Sequence, residues 1–246
     1  MTKTRKDQKE LSATERQQYL AALQTMIDSG EYGQFVAIHG DMSHRMHDSD
    51  MQGHFDAVGA QRFLAWHRDF LLQFEAKLGV SVPYWDWTTE HDVPSWLKSM
   101  KPAVPMPDGT TIHVIRYLQH GGIRLPSMTS VARLLRDKEF DAFTEGLERL
   151  HDLVHVWTGG IHRLSTSRVE RGTMADIMIS PADPLFWLHH AQVDRIWSQW
   201  QKDHPGKGPT LHGATMIMDP WPESVADLEQ TDALGGKLAS LSYLYQ

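Results

Sequence analysis

Histidines in three regions of this chain carry the chemistry. Residues 150–160 read LHDLVHVWTGG, and residues 180–201 read SPADPLFWLHHAQVDRIWSQWQ. His151 and His155 are four apart, so on a helix they project from one face a turn apart. His189 and His190 fall in a segment dense in Trp, Phe and Leu. A third region, residues 39 to 67, holds His39, His44, His47, His54 and His67. Imidazole without thiolate selects Cu, Zn, Ni or Fe over Mg or Ca.

Company gives these histidines weight, because an i, i+4 pair alone is a common accident of helices. HDLVH lacks the glutamate of HExxH, so no general base stands where zinc-peptidase chemistry needs one. His151 and His155 share a side with Leu147 and Leu150. His67 and His190 each sit within an apolar face, and a buried imidazole must find partners there. Asp194, one turn past His190, is placed to orient a histidine through its second nitrogen. His44, His91, His113, His120, His162, His204 and His212 read as surface or loop residues.

Helices must position the inward set. Ser12 to Glu15 reads as a capping box, followed by Tyr19, Leu20, Leu23, Met26 and Ile27 at helical spacing, with Gly30 as the stop. Residues 31–46 read as a helix carrying Tyr32, Phe35, Val36 and His39 on one side, and 47–60 read as loop. Arg62 to Leu78 is a strong helix. Residues 88–127, rich in proline and glycine, read as a long irregular excursion in which MPDGT (106–110) turns a small hairpin. Residues 129–157 read as mostly helical, ending at Gly159-Gly160. Asp183 at N-cap and Pro184 at N1 open a helix to about Lys202. The tail from 207 reads as irregular chain wrapping the core. Such helices can build a metal site from inward side chains on facing elements.

The bulk numbers exclude several classes. The chain has 246 residues, 41% of them hydrophobic, with nine Trp and twelve Met, enough for a large core. The net charge of −7 is spread along the chain and offers no basic stripe for nucleic acid. Cysteine is absent, which removes disulfides, thiolate-held metals and thiol nucleophiles. The first twenty residues carry basic charge with no apolar run behind it, so they do not read as a secretory signal. No run approaches a membrane span. The expected location is the cytoplasm, or export together with a partner.

At this point the motifs resemble the tyrosinase family of binuclear (type 3) copper proteins, especially its short bacterial members. RKDQKELSATERQQYLAAL is similar to the family's opening helix, and GEYGQFVAIH to the segment ending in its first copper ligand. FLAWHRDFLLQFE resembles the FLPWHR helix. VPYWDW, LHDLVHVWTGG and SPADPLFWLHHAQVDRIWSQWQ each resemble a family hallmark, and WPESVADLEQTDALG with Tyr243 to Tyr245 resembles the end of a catalytic domain. The resemblance covers nearly the whole chain. It implies a mainly α fold: a four-helix bundle holding a binuclear copper site, with long irregular loops and minor β, as one domain over 1–246.

By position, the resemblance makes His39 and His67 ligands of the first copper, and His151, His155 and His190 ligands of the second. His189 becomes a neighbour. The remaining ligand falls nine residues before the WHR histidine in the family, and that position here is Val58. His54, behind Gly53, is preferred over His47. Relatives that hydroxylate monophenols carry Asn after the first ligand of the second copper and a Glu upstream, together holding a water. Here the residue is Asp152, and the upstream acid is Glu148 or Glu145.

The implied cofactors are two copper ions, with O2 as co-substrate. Two cuprous ions side by side can each give dioxygen one electron, and neutral imidazoles leave open positions around them. Phe63, Trp66, Phe186 and Trp187 are expected to wall the site from water. The implied activity is oxidation of o-diphenols or o-aminophenols to quinones, with monophenol hydroxylation less expected because of Asp152. The partners implied are a small phenolic substrate, chosen by the loops 88–127 and 163–175, and a separate copper-delivery (caddie-type) protein. A hemocyanin-like oxygen-binding module is the alternative; such units carry an added covering domain, whereas the forty residues after Gly206 read as a domain ending. A mononuclear zinc hydrolase leaves His39, His67 and His190 unexplained.

Overall fold

The computed structural model describes residues 3–50, 52–118, 122–165, 168–229 and 243–246. His120, positions 119–121 and 166–167 of the two loops, and residues 230–235 of the WPESVADLEQTDALG match lie outside that set. Seven helices are described: α1 (Ala13–Asp28), α2 (Glu31–Gly40), α3 (Ala57–Leu78), α4 (Met128–Leu134), α5 (Phe140–Gly159), α6 (Leu185–Asp203) and α7 (Val225–Leu228). Three two-stranded sheets decorate them. β1 (Lys3–Arg5) pairs in parallel with β6 (Tyr243–Tyr245), while β2 (Ala103–Pro105) with β3 (Thr111–His113) and β4 (Ile161–Arg163) with β5 (Val169–Arg171) are antiparallel. None of the described helices is long and apolar enough to cross a membrane.

Local chemistry sets the helix ends. Ser12 Oγ accepts from Glu15 N and the Glu15 carboxylate accepts from Ser12 N, the capping box expected at the start of α1. Gly30 stands at φ +77° between α1 and α2, a left-handed turn that only glycine adopts without strain. α3 starts at Ala57, within the stretch read as loop, because Asp56 Oδ1 accepts from the amides of Val58 and Gly59. The stretch read as mostly helical over 129–157 forms two helices, α4 and α5. It breaks at 135–139, where the buried Trp200 indole takes the Asp137 carbonyl at 2.7 Å. The MPDGT turn does join a hairpin: Met106 N donates to Thr110 O, and Gly109 sits at φ +85°.

α2, α3, α5 and α6 surround one apolar interior. From α3 come Phe63, Trp66, Phe70 and Phe74, and from α6 Phe186 and Trp187, all fully buried. Trp187 stacks flat on Phe74 at 3.5 Å between ring centres and donates to the Tyr32 hydroxyl at 2.8 Å. Arg116 anchors the proline-rich excursion. Its guanidinium forks onto Asp183 (2.7 and 2.6 Å) and also donates to the carbonyls of Leu97 and Met100. Asp183 Oδ1 in turn accepts from Leu185 N, so this acid caps α6 from one residue further out than expected.

A buried ion network ties both ends of the chain to α3 and α6. Arg5 forks onto Glu75 (2.8 and 2.8 Å) and donates to Asp194 at 2.8 Å. The other oxygen of Asp194 accepts from Arg68 at 2.5 Å, and Tyr245 donates to the Asp194 carboxylate. Arg68 lies 3.6 Å over the Trp197 ring and donates to the Leu228 carbonyl. The expectation that Asp194 orients a histidine is therefore corrected: both its oxygens serve arginines.

Two stability predictions follow from these acids. Asp194→Asn strips a carboxylate from two buried guanidiniums, and urea unfolding should show a loss of about 3–5 kcal/mol. Asp69, fully buried on α3 with Gln73 as its only hydrogen-bond partner among the described residues, has its carboxyl pushed up to about 8 by burial. The folded state then binds a proton that the unfolded chain releases near pH 4. Stability should fall as pH rises from about 4 to 8 and level off above. Asp69→Asn should remove that slope, with the variant the more stable form at pH 8 and the difference closing by pH 4.

Candidate metal centre

Four helices and one loop deliver seven imidazoles to one place. α2 brings His39, α3 brings His67, α5 brings His151 and His155, and α6 brings His189 and His190. The seventh, His47, comes from the loop between α2 and α3. They fall into two groups, His39–His47–His67 and His151–His155–His189–His190, in each of which the candidate ligand atoms lie within 4.8 Å of one another. The groups abut: the His67 and His190 rings stack at 4.4 Å, and His47 lies 6.0 Å from His151.

The second nitrogens decide what each ring presents. His67 Nδ1 donates to the Phe63 carbonyl at 2.8 Å, His155 Nδ1 to the Met174 carbonyl at 2.7 Å, His151 Nδ1 to Asp152 Oδ1 at 3.0 Å, and His47 Nδ1 to Glu148 Oε1 at 3.0 Å. A neutral imidazole with its proton on Nδ1 shows a lone pair at Nε2. In the first group His39 Nε2 stands 3.5 Å from His47 Nε2 and 3.4 Å from His67 Nε2. In the second, His151 Nε2 stands 3.2 Å from His190 Nε2, and His155 Nε2 is a buried atom with no hydrogen-bond partner.

Metal–nitrogen bonds of about 2.0–2.1 Å around one ion in a plane space three donors about 3.5 Å apart. The donor atoms present match that spacing and have no other use. Burial, and after it the neighbouring imidazoles, holds His39, His67, His151, His155 and His190 well below the ordinary histidine range. Burial likewise brings His47 down to about 4, although Asp152 and Asp48 pull the other way. These imidazoles are thus already neutral at pH 7, the form that binds a cation.

His54 is corrected. Its side chain is 77% exposed and pairs with Asp50 at 3.1 Å. Asp50 Oδ1 also accepts from the amides of Gln52 and His54, closing a tight turn with Gly53 at φ +79° that aims His54 outward. The structure puts His47 in its place. The chain reaches His47 through Arg45, a non-glycine residue at φ +48° anchored on Asp56. It then crosses α3 at Gly59, where an added Cβ would meet the His47 carbonyl at 1.8 Å. The sequence signal for this was the Asp56 cap. It starts α3 early and leaves His54 on the turn outside the helix.

Glu148 and Asp152 do reach the centre. Glu148 is buried and also accepts from Asp48 N at 3.0 Å, and burial, then Asp48, pushes its carboxyl well above the usual range. Asp152 is 60% exposed at the rim. Each orients one histidine. Glu145 instead pairs with Arg149, and it lines a different groove. Phe186 packs 4.0 Å from His190 and 5.0 Å from His39, and Phe63 lies 5.0 Å from both His67 and His151. Trp66 flanks His39, whereas Trp187 is one layer back, behind Phe186. A cleft of about 240 Å³, lined by His39, His47, His151, Asp152, His155 and Ile177 among others, opens onto both groups. It is smaller than the roughly 300–1,000 Å³ of pockets for drug-sized ligands, which suits a single ring.

Comparison with known proteins agrees with this geometry. The family model described as the common central domain of tyrosinase matches residues 29–117 and 116–203. The chain is 30% identical over 268 residues to a tyrosinase of Streptomyces antibioticus, spanning 88% of this chain and 92% of that one. Among solved structures, a functional unit of octopus hemocyanin superposes with a TM-score of 0.72 at 22% identity, covering all of this chain and 68% of that one. A polyphenol oxidase of Thermothelomyces thermophila gives 0.65 at 20% identity, covering 100% and 89%.

The two loop histidines separate by metal count. His47→Ala should lower bound copper from two toward one per chain, and His54→Ala should leave it at two, as measured by atomic absorption on the purified proteins. The reverse pattern would restore His54 to the first group.

Proposed function

The chain belongs to the tyrosinase family, and from that premise we propose that it oxidises o-diphenols, and o-aminophenols, to quinones with O2, hydroxylating monophenols at most slowly. That it is a tyrosinase-type copper oxidase follows from the family; the substrates and the residue roles are our reading. In it His39, His47 and His67 hold one copper and His151, His155 and His190 the other, the chain 1–246 acting as one copper domain. The supporting observation is the pair of abutting histidine groups whose lone pairs converge on a single cleft. Held there, a copper pair would supply the electron transfer by which two diphenols give four electrons and four protons to one O2, leaving two quinones and two waters.

The protein's own groups do the rest. The Phe63 and Met174 carbonyls, Glu148 and Asp152 hold four rings so that their Nε2 atoms point inward. Phe63, Phe186 and Trp66 exclude water from the inner side of the rings. The cleft has room for one aromatic ring and is lined by His39, His155 and Ile177 among others. Asp152 is the one charged residue among those lining it, so in this reading it meets a phenolic hydroxyl or a water that enters. With Oδ1 accepting from His151, Asp152 Oδ2 is left to accept from that hydroxyl or water. A carboxylate there, in place of a neutral amide, sets a negative charge beside a phenolate. This disfavours the deprotonated monophenol more than the neutral catechol.

A monophenol, a catechol and an o-aminophenol assayed side by side test this reading. The catechol and aminophenol should turn over at once, and the monophenol slowly or after a long lag. Asp152→Asn should raise the monophenol-to-catechol rate ratio roughly ten-fold, about 1.4 kcal/mol in the barrier. Reversible oxygen uptake with no quinone formed would replace the oxidase by an oxygen carrier.

A further inference from the structure

The second histidine group holds four imidazoles where a type 3 copper takes three. His189 lies 4.9 Å from His151, 5.0 Å from His155 and 5.2 Å from His190 between ring centres, no farther than the true candidates lie from one another. Proximity and burial do not exclude it, since it is fully buried. What sets it apart is a hydrogen bond of the opposite polarity. His151 and His155 each give their Nδ1 proton to an oxygen. His189 Nδ1 instead faces the indole of Trp87, whose Nε1 stands 3.0 Å away. An indole nitrogen can only donate, so His189 Nδ1 must carry the lone pair. The same contact forbids the doubly protonated ring, because two N–H groups would then point at each other. The proton of His189 is left on Nε2, a buried atom with no hydrogen-bond partner among the described residues.

Trp87 is itself firmly placed. Residues 85–87 are clipped along one face of α6. Trp85 N donates to the Leu188 carbonyl at 3.1 Å, Gln192 Nε2 donates to Asp86 Oδ1 at 3.1 Å, and Arg195 pairs with Asp86 at 3.8 Å. Positions 188, 189, 192 and 195 form one stripe of the helix, and His190 lies off it, turned toward His67. The VPYWDW segment thus holds one member of the His-His pair and leaves the other free.

We propose that Trp87 is a positioning residue that fixes His189 in the Nε2–H form and so keeps it out of the second copper's ligand sphere. Three donors then remain on that ion, with a position open for oxygen and substrate. A fourth imidazole would fill that position and favour the oxidised ion. This inference rests on the two-copper reading of the site, but its first test does not.

The first test uses metal-free protein. Nitrogen-15 NMR of the histidine side chains should show His189 with an unprotonated Nδ1 and a protonated Nε2, and His67 and His155 with the reverse. A protonated Nδ1 on His189 overturns the proposal whatever the metal content. The second test loads Trp87→Phe with copper. His189 should now compete as a ligand, the near-ultraviolet band formed on adding peroxide should weaken, an isolated Cu(II) signal should appear in electron paramagnetic resonance, and catechol turnover should fall about 10- to 100-fold. Trp87→Phe/His189→Leu removes the freed donor and should recover the band and most of the turnover. If the double variant is as impaired as Trp87→Phe, Trp87 acts through packing alone and the proposal fails. Failure of the wild-type protein to bind two coppers, with the NMR pattern intact, would instead count against the two-copper reading.

Discussion

The centre depends on where four buried protons sit. A histidine presents a lone pair at one ring nitrogen when the other keeps the proton, and the acceptors that fix four of these rings are scattered through the fold. The Phe63 carbonyl lies one turn back in the same helix, and the Met174 carbonyl lies in a loop nineteen positions on. Glu148 comes from α5 to a histidine in the loop after α2. Each acceptor costs little by itself, yet together they turn a crowd of buried imidazoles into directed lone pairs. Without cations, such a cluster keeps buried acceptors such as His155 Nε2 unpaired, a cost the rest of the core must offset.

That core is built to hold the helices still. Arg5, Glu75, Arg68, Asp194 and Tyr245 join the first strand, α3, α6 and the closing strand in one buried network. Arg68 follows His67 directly, and Asp194 is one turn beyond His190. The same two helices that carry ligands from opposite groups are therefore locked together one turn from those ligands. Packing does the remainder. Phe186 touches His39, His155 and His190, so one ring spaces residues from three helices.

Much of this was legible in the residues. The helical spacing around His39, His67, His151 and His190 placed each on an apolar face, and the capping box, the MPDGT turn and the Asp183 cap were local signals that the structure keeps. The errors were contacts between distant segments. His54 and His47 are both loop histidines, and the local Asp56 cap sets His54 outside α3 but does not say that Glu148, 101 positions on, will hold His47. The break before α5 depends on the Trp200 indole arriving from α6. Asp194 sat at helical distance from a histidine, but two arginines far away in the chain had the stronger claim on a carboxylate.

The amino-acid sequence alone determined the donor type, the helices that bear most of the donors and the absence of thiol chemistry, because these depend on residue identity and on periodicity over one or two turns. Tertiary structure decided which loop histidine joins the first group, which member of the His-His pair the Trp87 indole holds, and which acceptors fix four of the other imidazoles. Those choices are made by hydrogen bonds between groups as far apart as 101 and 102 positions along the chain, His47 with Glu148 and Trp87 with His189, which form only once the helices have packed.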